Sequence, residues 1–371
     1  MKVRTIPKTT SLATAGTGAP PQGRARIPWD AAGAGLPNIL DMDKHGLRGL
    51  FAGEPYRGDQ VYGWLFSKGV QDFNDMTDLP KDLRARLASQ WAIAYPEVVS
   101  HKVSADGTEK FAYALADGCI VESVLIPEKG HYSVCVSSQV GCAMGCRFCL
   151  TATRGFTRNL SPGEIVSQVL MPIRAYPERR FTNVVFMGMG EPLLNYPNVI
   201  KAANILADPA GVQISKRRVT VSTCGIVPAI ETFPRDTEAG LAVSLNATDD
   251  ETRSFLMPIN KKYPLADLLA ALKGFDMPRR RRITVEYVLL KGVNDGVEHA
   301  RRLVRLLHGI RAKVNLIPFN PWPGCPFEAP EPSRVLEFEA VLRDSPFTVM
   351  IRKEKGKDIL GACGQLAGGI P

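Results

Sequence analysis

The stretch SVCVSSQVGCAMGCRFC, residues 133–149, runs from a β-branched segment directly into a loop with three cysteines. Its alternating first residues predict a short strand. Cys142, Cys146 and Cys149 have the spacing C-x3-C-x2-C, which lets one compact loop bring three thiolates around a metal centre. In parallel α/β folds the chemistry lies in loops that follow strands. The stretch therefore predicts the first strand of such a fold and its reactive loop.

Five further β-branched runs follow this strand, and amphipathic helical windows separate them. The first window, PGEIVSQVLMPIRAY, has Pro162 and Glu164 at positions suited to a first helical turn. Six alternations of strand and helix favour a parallel sheet with right-handed crossovers, whereas eight would close a complete barrel. We therefore predict an α/β fold with a partial (β/α)6 barrel. The five runs are NVVFMG (183–188), RVTVST (218–223), LAVSLN (241–246), ITVEYVLL (283–290) and KVNLIPF (313–319).

The rest of the chain divides by composition and periodicity. Its first thirty residues are rich in Thr, Ala, Gly and Pro without periodicity, which predicts disorder. A helical region follows, with Val61, Trp64 and Leu65 at the spacing of one apolar stripe. Pattern alone leaves open whether this region docks RNA or only packs. The predicted units are a disordered arm (1–30), a helical accessory domain (31–97), a β-rich transition (98–131), the partial barrel (132–352) and a flexible C-terminal tail (353–371).

Composition favours a globular protein in a reducing compartment. The chain has 371 residues, 45% of them hydrophobic, so it can bury a sizeable core. No stretch reaches the roughly 18 uncharged apolar residues of a membrane span, and no apolar signal region begins the chain, so we expect a soluble, cytoplasmic protein. Eight unevenly placed cysteines do not fit a secreted disulfide scaffold. The net charge of +9 favours a polyanionic partner such as RNA.

The cysteine triplet fits an iron–sulfur cluster better than the other uses of clustered thiols. A structural zinc site needs four ligands, usually from two knuckles, and no partner knuckle follows in the sequence. A disulfide would leave one of the three thiols over. A [4Fe-4S] cluster held by three cysteines leaves one iron without a protein ligand, so a substrate or cofactor can bind there. The spacing favours the cluster over zinc without excluding zinc.

The triplet, with Phe148 before its last cysteine, resembles the radical S-adenosylmethionine (SAM) superfamily. In that superfamily the open iron chelates SAM, and one-electron reduction yields a 5'-deoxyadenosyl radical. FMGMGEPLLN resembles the superfamily's GEP motif, and VTVSTCG, AVSLNATDDETR and VNLIPFNPWPG match further SAM-binding stretches in the same order. The resemblance implies SAM contacts at Gly190, Glu191, Ser222, Ser244, Leu245, Asn246 and Asn320. Asn246 stands where the family pattern has His.

The chain also resembles the RlmN-type 23S rRNA and tRNA adenine-C2 methyltransferases, from about residue 38 to its end. The segments that carry this resemblance are residues 56–87, the run VESVLIP and the tail KDILGACGQLAG. The resemblance implies a [4Fe-4S] cluster, two SAM per turnover, and methylation of a peptidyl-transferase-region adenosine of 23S rRNA and of the adenosine next to the tRNA anticodon. Cys363 would carry the methyl group, Cys135 would release the product and Glu122 would accept the C2 proton. It also implies a flavodoxin-like one-electron donor and a monomer.

Two alternatives stay open at this point. A related C8 methyltransferase shares the cluster and both additional cysteines. An RNA-binding iron–sulfur protein without methyl transfer would need neither Cys135 nor Cys363 and would not consume SAM. We interpret Cys119, Cys224 and Cys325 as structural because the pattern gives them no partner.

Overall fold

The computed structural model of the chain describes residues 35–51 and 53–367, and the predicted arm at 1–30 lies outside them. The first described elements are helices, as the apolar spacing predicted. Val61 and Leu65 are fully buried, whereas Trp64 is only partly buried against the core. The elements are the 3-10 helix Ile39–Asp41, α1 (Lys44–Gly49), α2 (Pro55–Tyr62) with the π-helical turn Gly63–Lys68, the 3-10 helix Phe73–Asp75, and α3 (Lys81–Gln90).

Three antiparallel strands follow, β1 (Glu97–Val103), β2 (Glu109–Ala114) and β3 (Ile120–Glu128). They form the segment that the sequence analysis described as a β-rich transition. β3 pairs antiparallel with β4 (His131–Cys135), which is the first strand of the predicted barrel. The three strands therefore extend the main sheet, so that residues on β2 and β3 lie close to the barrel's active end.

A small antiparallel pair frames the cysteine loop. β5 (Gln139–Gly141) precedes the loop and β6 (Phe156–Asn159) follows it, with Gln139 opposite Asn159. Between them lies the 3-10 helix Leu150–Arg154. The pair fixes both ends of the loop relative to the sheet.

The six predicted barrel strands all form, and each pairs in parallel with the next in chain order. A seventh parallel strand at the edge of the sheet was not predicted, because it is four residues long and none of them is buried. The strands after β4 are β7 (Phe181–Phe186), β8 (Val219–Thr223), β9 (Gly240–Ser244), β10 (Ile283–Leu289), β11 (Ala312–Pro318) and the additional β12 (Thr348–Ile351).

Helices cover the parallel part of the sheet. The first begins as predicted, with Pro162 in its first turn and a capping box between Ser161 and Glu164. The N–H of Gly163 also donates to Asp41 at 2.8 Å, which ties the N-terminal helical region to the barrel. The helices are α4 (Pro162–Ala175), α5 (Tyr196–Ala207), α6 (Val227–Asp236), α7 (Asp250–Leu256), α8 (Leu265–Lys273), α9 (Val297–Leu306) and α10 (Pro332–Arg343), with 3-10 helices at Pro192–Asn195, Lys216–Arg218, Pro258–Lys261 and Lys357–Ile359.

The core of the barrel contains one fully buried valine from each of five successive parallel strands: Val184, Val221, Val243, Val285 and Val314. The last three lie side by side in the register of the sheet. This apolar layer supports the carboxyl ends of the strands, where the loops of the site begin. Within the described part of the chain, no helix is long and apolar enough to cross a membrane.

Candidate active site and cofactor cavity

The cysteine loop is fixed by backbone hydrogen bonds on several sides. The N–H of Cys142 donates to the carbonyl of Gly155 at 2.7 Å, and the N–H of Arg147 donates to the carbonyl of Leu256 at 3.0 Å. The N–H of Leu150 donates to Gly364 in the C-terminal segment, also at 2.7 Å. The loop is therefore held by its own hairpin, by the end of α7 and by the tail.

Burial controls the chemistry of the three loop thiols. It raises the pKa of Cys142 to about 12, and it raises the pKa values of Cys146 and Cys149. Without a cation nearby these groups are neutral thiols at neutral pH. Iron supplies the positive charge that stabilises thiolates, so the donor set suits an iron–sulfur cluster.

A cavity of about 150 Å³ adjoins this loop, and we call it the cluster cavity. Its wall includes the three loop cysteines and five of the seven residues predicted to contact SAM. The five lie at or just after the carboxyl ends of the parallel strands β7, β8, β9 and β11, where this fold class places its sites. They are Gly190, Glu191, Ser222, Ser244 and Asn320.

The GEP turn is tightly constrained on the wall of the cluster cavity. Glu191 is buried, and its carboxylate accepts hydrogen bonds from the N–H groups of Leu193 at 2.9 Å and Cys224 at 2.7 Å. Burial raises the pKa of Glu191. Gly190 has φ +102°, and a Cβ at this position would lie 2.6 Å from the Cβ of Gln139. The turn therefore requires glycine.

Two buried oxygens in the same wall are positioned for a ligand. Ser222 donates to Oε2 of Glu286 at 2.8 Å, whereas Oε1 of Glu286 and Oδ1 of Asn320 accept no hydrogen bond from the described residues. Buried acceptors without a donor are costly and uncommon in folded proteins. Donors on a bound ligand, such as the amino group of SAM, would satisfy them, so the cavity fits this cofactor.

Leu245 and Asn246 are the two predicted SAM contacts whose side chains the structure does not bring to the cluster cavity. Leu245 is fully buried in the core. Asn246 has φ +58°, a conformation that Asn tolerates better than most residues. Its Nδ2 lies 3.2 Å from Sδ of Met257, and its Oδ1 accepts from the N–H of Val288 at 2.8 Å. Internal contacts therefore use the polar atoms of this side chain.

A second cavity, of about 330 Å³, contains both additional thiols, and we call it the thiol cavity. Cys135, at the end of β4, and Cys363, in the C-terminal segment, both line it. Cys363 lines the cluster cavity as well, together with Met187, Ile317 and Asn320. Cys363 thus belongs to the wall that the two cavities share.

Arg352 is the cation that faces these two thiols. Its Nη1 lies 3.4 Å from Sδ of Met187 and 4.0 Å from Oε1 of Glu286. Burial raises the pKa of Cys135 to about 12, and the neighbouring Cys363 also acts to raise it, whereas the guanidinium acts in the opposite direction. Burial also raises the pKa of Cys363, again opposed by Arg352. The cavity therefore holds neutral thiols next to a charge that favours their thiolates.

Glu122, the predicted proton acceptor, lines neither cavity. It is buried on β3, where its Oε1 lies 3.0 Å from Nζ of Lys110. Its Oε2 accepts a hydrogen bond from the N–H of Ala367 at 2.8 Å. The structure thus places this carboxylate beside the C-terminal segment rather than in contact with the space for a substrate.

The described residues include no group of three or more His, Cys, Asp or Glu side chains that could hold a metal ion. A [4Fe-4S] cluster makes a different demand, because each cysteine binds a different iron of the cube. The three loop thiols share one cavity wall and influence one another electrostatically. Their arrangement is compatible with this larger centre.

Comparison with known proteins agrees with this site. Residues 136–305 match the radical SAM superfamily, and residues 37–93 match the ribosomal RNA large subunit methyltransferase N-terminal domain. The dual-specificity RNA methyltransferase RlmN of Desulfosudis oleivorans is 51% identical over 318 residues, which are 85% of this chain and 86% of that protein. RlmN of Geobacter sulfurreducens is 52% identical over 315 residues, which are 85% of this chain and 87% of that protein. The chain belongs to the RlmN family.

The RlmN-family assignment extends to the three-dimensional structure. The crystal structure of a radical SAM methyltransferase from Sphaerobacter thermophilus matches with a TM-score of 0.83 and 41% identity, and the match covers 90% of this chain and all of that one. The predicted mixed α/β radical SAM fold, with its N-terminal helical region, is confirmed. A [4Fe-4S] cluster and SAM are the cofactors of this enzyme class.

Three charged residues at this RlmN-family site were not predicted from the sequence. Arg253 is fully buried, and its Nη2 donates to the carbonyls of Cys224 at 2.8 Å and Ser244 at 3.3 Å, which joins the ends of β8 and β9. Glu286 and Arg352 line the cavities. Only Glu286 has a clear sequence signal, since an acidic residue interrupts the apolar run ITVEYVLL.

Proposed function

We propose that this RlmN-family chain adds a methyl group to C2 of adenosine in 23S rRNA and in tRNA. The targets are the peptidyl-transferase-region adenosine and the adenosine next to the anticodon. One observation carries the proposal: Cys363 belongs to the wall of both cavities, and Cys135 lies in the thiol cavity with it. The names of the relatives, dual-specificity RNA methyltransferase, support the two RNA classes.

The proposal divides the work between the two cavities. Cys142, Cys146 and Cys149 would hold the cluster, and Gly190, Glu191, Ser222, Ser244 and Asn320 would surround SAM. When bound, these cofactors supply a methyl group and one-electron chemistry that a C–H bond of low acidity requires. The side chains of Leu245 and Asn246 do not line the cluster cavity. They would therefore affect SAM binding indirectly, Leu245 by packing in the core and Asn246 by positioning the loop after β9.

Cys363 is the proposed methyl carrier. Its thiolate sulfur would take the methyl group of a bound SAM: a sulfur–methyl bond would form at Cys363 as the bond from the methyl carbon to the SAM sulfonium breaks, with S-adenosylhomocysteine as the leaving group. The Arg352 guanidinium in the same wall favours the thiolate that this attack needs. A methyl group on Cys363 would lie in the wall shared by the two cavities, next to the thiol cavity where the adenine would bind.

Cys135 is the proposed releasing thiol. The one-electron chemistry of a second SAM would remove one hydrogen atom from the S-methyl group, so that its carbon could join C2 of the base. The C2 proton would then leave, and one electron would return to the cluster, which leaves a thioether between Cys363 and the base. The thiolate of Cys135 would then attack the sulfur of Cys363. A disulfide forms, the sulfur–carbon bond breaks, and its electron pair stays with the carbon, which takes up a proton to become the product methyl group. Glu122 is proposed to accept the proton that leaves C2. Its contact with Ala367 implies that the C-terminal segment moves before it can do so.

Basic side chains would contact the RNA backbone. Lys353 and Lys355 line the thiol cavity, and Lys353 is exposed. The N-terminal helical region adds the exposed cations Lys68, Lys81 and Arg86. We propose this region, residues 31–97, as an RNA-docking domain beside the barrel at 132–352. A flavodoxin-like electron donor, a monomeric state and a cytoplasmic location complete the proposal.

The test is to reconstitute the cluster anaerobically and incubate the protein with SAM, a reductant and each RNA. Nucleosides from the digested RNA are analysed by mass spectrometry, and NMR locates the new methyl group. We expect 2-methyladenosine in both RNAs and S-methylcysteine at position 363. Methylation at C8 would contradict the C2 assignment, and SAM cleavage without RNA methylation would contradict the methyltransferase proposal.

A further inference from the structure

Cys363 lies in a segment, residues 356–367, that we call the carrier segment. The cysteine loop holds one part of it. Leu150 donates its N–H to the carbonyl of Gly364 at 2.7 Å, and Thr151 donates its hydroxyl to the carbonyl of Leu366 at 2.6 Å. These bonds place the carrier thiol next to the loop that would hold the cluster.

The turn between β1 and β2 holds the beginning of the carrier segment. Gly356 donates its N–H to Asp106 at 3.1 Å. The carboxylate of Asp358 accepts from the hydroxyl of Ser104 at 2.5 Å and from the N–H of Ala105 at 3.2 Å. The antiparallel strands therefore contribute directly to the position of the carrier segment.

Lys110 contacts the carrier segment directly before Cys363 and, through Glu122, indirectly after it. Its Nζ donates to the carbonyl of Leu360 at 3.3 Å, and it lies 3.0 Å from Oε1 of Glu122. The other oxygen of Glu122 accepts from the N–H of Ala367. In the β2–β3 register Ala112 is opposite Glu122 and Lys110 is opposite Val124, so the two charged side chains are diagonal neighbours on one face.

We infer that Lys110 is a positioning residue for the carrier thiol. The inference rests on the proposed function of Cys363. One ammonium group fixes Leu360, which precedes the thiol, and, through Glu122, Ala367, which follows it. Both charged side chains are almost fully buried, with 10% and 4% of their surfaces exposed. Buried ion pairs add little net stability, but a pair of this kind can enforce one geometry.

Precise placement matters because Cys363 must present its sulfur to two cavities in turn. A displacement of about 1 Å can slow a reaction by roughly 100-fold. A loosened carrier segment would leave the cluster and SAM sites intact, yet the S-methyl group would more often be out of reach when SAM is cleaved. Cleavage would then occur without methyl transfer.

The experiment uses the full-length, cluster-loaded protein with Lys110→Met. The ratio of 5'-deoxyadenosine to methylated adenosine is measured, together with hydrogen exchange of amides 360–367. We expect a several-fold higher ratio and faster exchange, with unchanged cluster absorbance. Lys110→Arg, which keeps the cation, should restore the ratio. Lys129→Met, in the exposed turn after β3, is the matched control and should resemble the wild type.

An unchanged ratio and unchanged exchange in Lys110→Met would overturn the inference, as would a proportional loss of both products. If Lys110→Met does not fold, the double variant Lys110→Met/Glu122→Gln removes both charges and should show the same faster exchange. Wild-type exchange in that variant would also overturn it. Hydrogen exchange requires no catalysis, so it decides the role of Lys110 even if the wild type methylates no RNA and the proposed function fails.

Discussion

The loop cysteines and the pair formed by Cys135 and Cys363 are assembled in different ways. The loop cysteines lie within a single loop of eight residues, 142–149, between the paired strands β5 and β6. The other two thiols come from β4 and from the carrier segment. Long-range contacts such as the bond from Ala367 to Glu122, 245 positions away, hold the carrier segment against β3, which pairs with β4. Local spacing can therefore encode a cofactor site, whereas a site formed by distant parts of the chain depends on the assembled sheet.

The largest effect that distinguishes the loop cysteines from Cys135 and Cys363 is expected for Cys146→Ala. Removing one of three cluster ligands should prevent stable cluster binding and abolish SAM cleavage and RNA methylation together. Iron content and the EPR signal of the reduced protein measure the loss. Cys363→Ala is the matched control, since it should keep the cluster and lose only methyl transfer. Full iron content in Cys146→Ala would contradict the assignment of the ligands.

A large effect on stability is expected where the sheet supports the loop. Arg253→Met leaves the carbonyls of Cys224 and Ser244 without their guanidinium donor, whereas the carbonyl of Leu245 keeps the N–H of Ala247 as a donor. Such losses cost about 1–3 kcal/mol for each unsatisfied group, so the loss at two groups should lower the free energy of unfolding by about 2 kcal/mol or more. Urea unfolding measures the change. The control Arg301→Met removes an exposed i,i+3 ion pair and should change stability by less than about 1 kcal/mol. Similar values for both would refute the support role.

A smaller, local effect is expected for Gly190→Ala. The new Cβ would lie 2.6 Å from a Gln139 side-chain carbon and 2.8 Å from its backbone N. We expect about 1–3 kcal/mol of destabilisation and weaker SAM binding, because the GEP turn must shift. Calorimetry of SAM binding and thermal unfolding test this. Gly130→Ala is the control, since this turn also has a positive φ but open space around the new methyl group. Equal SAM affinity in both variants would contradict the conclusion that the close packing of Gly190 against Gln139 is needed for SAM binding.

What the sequence predicted correctly was local. The six strands and the start of α4 follow from β-branched runs and from the capping pattern Ser161–Glu164. The site was predicted less completely. Leu245 and Asn246 match a SAM-binding stretch, yet Asn246 is turned toward Met257 by a left-handed backbone that no spacing rule detects. The contacts of Glu122 and Lys110 depend on a segment about 250 positions away.

The smallest effect is expected in the N-terminal helical region. Lys81→Ala/Arg86→Ala removes two exposed cations, so we expect weaker RNA binding and a shallower dependence of affinity on salt. The slope should fall by about one unit for each phosphate that the variant no longer binds. SAM cleavage without RNA should not change. Filter binding at several salt concentrations measures the slope. Unchanged RNA affinity would indicate that this region only packs against the barrel.

The most direct test of the two-thiol mechanism is the covalent state of Cys135→Ala after reaction with SAM, reductant and an rRNA fragment. Without the releasing thiol, the carrier carbon should remain bound to both Cys363 and the base. Denaturing gels should show a protein–RNA adduct, and mass spectrometry should find a nucleotide-modified peptide that contains Cys363. Cys363→Ala should form no adduct. Full methylation by Cys135→Ala without an adduct would contradict the releasing role, and full activity of Cys363→Ala would contradict the carrier mechanism.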